Sequence, residues 1–202
     1  SRRIELGEPL ARIGVFRLAA DRWLVDVNLH HVIADDWSCS VFFDELAALY
    51  DNRPLPPLAG QFAEYVQASR GRPAGETLRR RFAGYPGPFE LPTDRPRPAA
   101  PTGNGAVLGL ELDEDAAAGI AAAARRHGVS RFMIALAAVH LVLSRYAERD
   151  DLALGVPVAG RGRPGTDDLI GYFVTMTLAR INPAPDATVT DLLRHVREVC
   201  LE

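Results

Sequence analysis

Residues 23–38 alternate and then stop alternating. Trp23, Val25, Val27 and Leu29 fall on one face and Leu24, Asp26, Asn28 and His30 on the other, the period-two pattern of a half-buried strand. Two more residues of alternation put His31 on the apolar face and His30 opposite it. Ala34-Asp35-Asp36-Trp37-Ser38 then breaks the strand, and Val41, Phe42, Leu46, Leu49 and Tyr50 recur at helical spacing. The pattern predicts an imidazole at a strand end, facing inward, just before a turn and a helix that ends near Tyr50. Upstream, 13–18 predicts a second strand, joined antiparallel to the first by a turn at Ala20-Asp21-Arg22.

Further along, prolines at 54, 56 and 57 predict a stiff, extended connector, and Gln61–Val66 opens a second amphipathic helix. Residues 75–84 are Arg-rich with a helical pattern and stop at Gly84-Tyr85-Pro86-Gly87-Pro88. Prolines at 92, 96 and 98 exclude helix and central strand, so 91–98 reads as a linker. Ala106–Leu112 predicts a strand. Asp113 caps a helix through Arg126 that Gly128 closes, and Ser130 caps the next. That helix carries the stripe Phe132, Ala135, Leu136, Val139, Leu143 and Tyr146, with Met133, Leu141 and Val142 on its other side, so burial on most faces is expected. His140 within it reads as a packed core histidine. A strand at Leu152–Val158 and a helix from Asp191 complete the pattern, and Phe173 and Val174 fit a core strand between two loops as one reading of that stretch.

Composition adds bounds to this picture. The 202 residues are 48% hydrophobic with a formal charge of −3, as expected of a soluble globular chain with a sizeable core. No apolar run approaches the length needed to span a bilayer, and Ser1-Arg2-Arg3-Ile4-Glu5 does not read as a signal peptide, so no membrane partner is expected. Cys39 and Cys200 are too few and too far apart for a disulfide framework, which points to a reducing cytoplasm. Every basic position is Arg and Ala is abundant, a mark of codon bias rather than of function. Basic clusters such as Arg79-Arg80-Arg81 are short, so nucleic acid is not an expected partner.

The histidine pair admits a structural reading, two histidines at a strand end, and a chemical one. Asp35 follows His31 by four residues, across a turn short enough to fold the carboxylate beneath the strand end, and an acid near an imidazole can tune a base. Zinc is disfavoured because adjacent strand residues face opposite ways and no His-Glu-x-x-His or Cys-x-x-Cys is present. A serine triad is weaker still: Ser38 and Ser40 lack a Gly-x-Ser-x-Gly elbow. Gly160-Arg161-Gly162-Arg163-Pro164-Gly165 lacks the strand–helix context and Lys-Ser/Thr of a phosphate loop.

The stretch His30-His31-Val32-Ile33-Ala34-Asp35-Asp36-Trp37-Ser38 resembles the His-His-x-x-x-Asp-Gly-Trp-Ser signature of nonribosomal peptide synthetase condensation domains, within the chloramphenicol acetyltransferase-like superfamily. Three further segments resemble the family in the same order: Leu91–Pro98, Asp150–Arg161, and Leu169–Thr175 with Arg180 at the matching place. Asp36 stands where the family usually has Gly, which puts the turn's geometry in question; Thr175 stands for the usual Asn and Met176 for the usual Thr. The resemblance implies an α/β (α+β), two-lobed fold: 1–88 the remainder of the N-terminal lobe, 89–105 a Pro-rich linker, 106–202 the first part of the C-terminal lobe. Family domains are longer at both ends, and the Arg that pairs with the motif Asp in relatives is expected before residue 1, which would leave Asp35 unpaired and the chain either unstable alone or part of a larger assembly.

The resemblance further implies amide-bond formation between donor and acceptor thioesters held on phosphopantetheine arms of peptidyl carrier proteins, beside an adenylation domain. The domain itself would bind no cofactor and no metal. His31, with His30 beside it, would act as general base or by placing the amine; Asp35, Asp36, Trp37 and Ser38 would support the motif; Arg161, Tyr172 and Thr175 would line the substrate tunnel. Two alternatives stand: a related ester-forming acyltransferase or an epimerization domain, the latter disfavoured by Trp37-Ser38 in that order, and a non-catalytic platform that recruits partner enzymes, kept open by Asp36.

Overall fold

A computed structural model describes residues 4–70, 75–100 and 102–201; the first three residues, part of the stretch read above for a signal peptide, lie outside the described residues. The chain divides into two compact units, Ser1–Pro73 with Pro157–Thr177, and Ala74–Val156 with Leu178–Glu202. Among the described residues no single helix is long and apolar enough to cross a membrane.

The first unit opens with a hairpin, β1 (Ala11–Arg17) and β2 (Trp23–Leu29), antiparallel in the register Ala11↔Leu29 to Arg17↔Trp23. The turn forms where expected: the Leu18 and Ala19 amides donate to the Arg22 carbonyl at 2.8 and 3.1 Å. Ile13, Val15, Val25 and Val27 share one face, as the alternation requires. That face is less covered than expected among the described residues, with Ile13 58% and Trp23 57% exposed. The strand also ends sooner. Ile33 donates to the His30 carbonyl at 3.0 Å, so His30–Ile33 is a turn, and the alternation that would have turned His31 inward does not reach it.

Helix α1 (Asp36–Tyr50) follows, with Asp35 as its N-cap. It ends on Asn52 at a positive φ of 55°, with the Arg53 amide returning to the Ala48 carbonyl at 2.8 Å. Residues 53–60 run without regular structure to α2 (Phe62–Ser69). Phe62 and Tyr65 there pack on the buried Phe173 ring, at centroid distances of 4.9 and 4.7 Å. The second helix is therefore an anchor for the 171–174 segment rather than an ordinary surface helix.

In the second unit lie α3 (Glu76–Arg81), α4 (Glu114–His127), α5 (Arg131–Ala147) and α6 (Val189–Leu201). Strands β3 (Leu152–Val158) and β4 (Thr175–Ile181) pair with each other, each running from one unit into the other. Caps form as read: Asp113 accepts from the Ala116 amide, Ser130 from that of Met133, and Gly128 takes the left-handed conformation. Leu136, Ala137, Ala179, Ile181, Leu192, Leu193 and Val196 make the core. His140 is buried as expected, its Nε2–H donating to the Asp150 carbonyl at 2.8 Å.

Two expectations fail here. Helix α5 is not buried on most faces: Val142 is 55% and Tyr146 64% exposed, and burial is confined to Leu136, Ala137, His140 and Ser144. The 106–112 segment forms no strand. It pairs with no neighbour among the described residues, and Val107 and Leu108 stand almost fully exposed. A strand's backbone bonds come from a partner, so an apolar, β-prone run without one has no ladder to join.

Candidate active site

All the residues of the His-His motif, and the segments they touch, lie in the first unit. Asp35 is the centre of the arrangement. Its Oδ1 accepts from the Ser38 amide at 2.8 Å and the Arg161 guanidinium at 3.2 Å, and lies 2.7 Å from the Ser38 hydroxyl. Its Oδ2 accepts from the amides of Phe173 and Val174 at 2.9 and 3.2 Å. The carboxylate is 1% exposed. Burial alone would raise its pKa, but the bonds from Ser38, the Phe173 amide and Arg161 outweigh it and hold the value at about 2.

Arg161 is the charge partner. Its side chain is 2% exposed and pairs with Asp35, while Nη1 donates to the carbonyls of Thr166 and Leu169 at 2.5 and 2.8 Å. The guanidinium also lies over the Phe173 ring, 4.0 Å from its centroid. Arg161 thus points into the interior. One sequence expectation is corrected by this: Asp35 is not left unpaired, for it has a cation from 126 residues downstream. The signal available in the sequence was only the general rule that a buried carboxylate needs a cation, which does not say which of many arginines supplies it.

Ser38, fully buried, joins the same knot. Its hydroxyl accepts from Arg161 at 2.9 Å and from the Gly171 amide at 3.0 Å, and lies 2.7 Å from both Asp35 Oδ1 and the Gly171 carbonyl, one of which takes its single proton. Trp37 ties the helix start to the 160s loop, its indole N–H donating to the Asp167 carbonyl at 2.9 Å. Asp36 is the first residue of α1 and is not among the described non-glycine residues with positive φ. The turn therefore needs no glycine there, and a carboxylate in the first helical turn is favourable.

His31 sits above this knot in the turn, with its ring exposed. Its Nδ1 is 2.8 Å from the Ala34 carbonyl oxygen. A carbonyl only accepts, so Nδ1 carries a proton, and in the neutral ring the lone pair is on Nε2. His30 is used locally instead: its Nδ1 accepts from the Val32 amide at 3.1 Å, which stiffens the turn. The ring of Tyr172 meets the His31 ring edge to face, with centroids 5.2 Å apart and planes at 88°. Thr175 opens β4 three residues further on, exposed. The structure thus brings together His31 and Tyr172, and beneath them Asp35, Ser38 and Arg161, from three separate segments. It was Phe62, Tyr65 and Gly160, which hold the 171–174 backbone in place, that sequence reading did not assign to the site. Tyr65 donates its hydroxyl to the Gly160 carbonyl at 3.0 Å.

The family model described as "Condensation domain" matches residues 3–202. A linear gramicidin synthase of Brevibacillus parabrevis is 35% identical over 207 residues, covering 96% of this chain and 3% of that protein. Among solved structures, the X-domain from teicoplanin biosynthesis superposes with a TM-score of 0.84 at 27% identity, covering 99% of this chain and 49% of that one. The complex of the X-domain and OxyB from teicoplanin biosynthesis gives a TM-score of 0.81 at 28% identity, over 95% of this chain and 46% of that one. The chain therefore spans about half the length of these solved relatives and a small fraction of the gramicidin synthase. With an exposed, tautomer-fixed imidazole over a buried Asp–Arg pair, an α/β fold shared with chloramphenicol acetyltransferase-like proteins, and a family match along nearly its whole length, this chain belongs to the condensation-domain family of nonribosomal peptide synthetases.

Proposed function

We propose that this chain is the histidine-bearing part of a peptide-bond-forming condensation domain. Residues 89–105 would connect an N-terminal lobe, 1–88, to the first part of a C-terminal lobe, 106–202. Donor and acceptor would arrive as thioesters on the phosphopantetheine arms of two peptidyl carrier proteins, next to an adenylation domain, in a reducing cytoplasm where Cys39 and Cys200 stay thiols. The observation that supports this is the His31 side chain: exposed, held at Nδ1 by the Ala34 carbonyl, which leaves Nε2 outside that bond.

The acceptor amine attacks the donor carbonyl, a C–N bond forms, and the C–S bond breaks to release the pantetheine thiol. Nε2 takes the amine proton and returns it to the leaving thiolate. General base catalysis of this kind is worth about 10²–10⁴-fold, and placement of the amine alone can match it. A thioester is already activated, so no nucleophilic Ser or Cys is required. Asp35 stays ionised throughout as structural support. The test uses the full-length synthetase loaded with acyl donor and aminoacyl acceptor. His31→Ala is expected to slow condensation by about 10²-fold or more with little change in melting temperature; condensation at the wild-type rate refutes the assignment.

The likeness to the X-domain, and to its complex with OxyB, favours one second reading: a platform that recruits a partner enzyme. A wild-type synthetase that makes no product yet binds such an enzyme selects it. Retention of an exposed imidazole with a fixed tautomer weighs for catalysis.

A further inference from the structure

Tyr172 stands at the meeting point of two sets of constraints. Below it, the backbone on either side is bonded to the buried knot: the Gly171 amide to Ser38, and the Phe173 and Val174 amides to Asp35. Phe173, the next side chain, is 1% exposed and wedged against Phe62, Tyr65 and the Arg161 guanidinium. Because successive side chains of an extended segment point opposite ways, burying Phe173 sends Tyr172 outward, where it is 41% exposed. Outward here means against His31, in the edge-to-face contact at 5.2 Å.

The His31 ring has two rotatable bonds and, among the described residues, a single hydrogen bond, from Nδ1 to the Ala34 carbonyl. One bond fixes a point on the ring; it does not fix the plane. The Tyr172 ring, nearly perpendicular, supplies the missing constraint. We propose that Tyr172 is a positioning residue for His31: held by the Asp35–Ser38–Arg161 knot, it sets the plane of the imidazole and so the direction of Nε2. This gives the knot a second task, passing the rigidity of the buried ion pair to a surface ring through four residues of backbone. The proposal rests on the condensation reading for its effect on rate, but the geometry it asserts does not.

The experiment takes the full-length synthetase containing this chain, with Tyr172→Ala, Tyr172→Leu and Tyr172→Phe. It measures single-turnover condensation between loaded carriers, KM for the acceptor carrier, and the rate at which diethyl pyrocarbonate acylates His31, with His30 as the internal reference. Loss of an aromatic contact of this kind corresponds to about a two- to tenfold fall in kcat for Ala and Leu. KM is expected to stay unchanged, and acylation of His31 to rise relative to His30. Tyr172→Phe, which keeps the ring and loses the hydroxyl, is expected to restore both. If Ala and Leu leave kcat and the acylation ratio at wild-type values, Tyr172 positions nothing. If Phe is as impaired as Ala, the phenol acts on its own and the proposal is overturned. Should the wild-type synthetase make no product, the condensation reading fails, and the acylation ratio alone still decides whether Tyr172 holds the ring.

Discussion

Removing the Asp35 carboxylate should unfold the first unit more readily than any other single change to a polar side chain there. Asp35→Ala deletes the N-cap of α1, the acceptor for two amides of the 171–174 segment, and the counter-charge of a guanidinium that is 2% exposed. Losing one partner of a buried ion pair typically costs about 3–5 kcal/mol, because the remaining charge stays buried without compensation. The cap adds about 1 kcal/mol. The lowered pKa reflects part of the same stabilisation: holding the carboxyl at about 2 instead of 3.8 contributes on the order of 2 kcal/mol. The folded value is the lower one, so that contribution is present above pH ~4 and is lost as pH falls towards 2.

The assay is urea denaturation of the condensation domain at neutral pH and again down to pH ~3, with Asp35→Ala, Arg161→Leu and the double variant. Arg161→Leu is expected to cost about 3–5 kcal/mol and Asp35→Ala, which also loses the cap, about 4–6 kcal/mol, with the double at least about 2 kcal/mol less than both together, since no charge is left orphaned. The loss of stability towards low pH should be smaller in Asp35→Ala than in the wild type, since the Asp35 contribution is gone. A cost below about 1 kcal/mol for Asp35→Ala, or strict additivity in the double variant, would refute the reasoning.

Two other sites give sharp tests. Arg180 grips Asp151 with Nε and Nη2 at 2.9 and 2.7 Å and bonds the carbonyls of Arg81 and Ala83 with Nη1, lowering the Asp151 pKa chiefly through that hydrogen bond to the carboxylate. Arg180→Lys cannot reproduce the fork and is expected to cost about 1–2 kcal/mol, read as a fall in melting temperature; an unchanged melting temperature would show the pair to be idle. Gly160 has φ +69°, and a Cβ there would run into the carbonyl oxygen of Phe173. Gly160→Ala should cost about 2–3 kcal/mol and, by displacing the backbone that Asp35 holds, lower condensation as well; a variant with wild-type stability and rate would contradict the close approach.

The elements read well from sequence wherever their causes are local. Asp113, Ser130 and Gly128 end their helices by bonds to residues three or four positions away, so they were legible without a fold. The hairpin's turn and antiparallel pairing were legible for the same reason, though its register was not. Where the cause is a distant partner, the reading ran out. The run at 106–112 has the composition of a strand and is not one among the described residues, because a ladder needs a neighbour. Extending the alternation through His31 failed because the chain turns at His30, and periodicity carries no information about where a strand stops.

The site divides along the same line. His31, Asp35 and the helix after them are neighbours in the chain, so sequence alone determined that an imidazole, a carboxylate and an α-helix would lie side by side. Which cation neutralises Asp35, which ring meets His31, and which amides complete the carboxylate's shell were decided only by the tertiary structure. Arg161 and Tyr172 lie more than a hundred residues away, and nothing short of chain closure chooses them. The physical reason is that a buried charge constrains the kind of partner it must have, while the path of the backbone determines its identity.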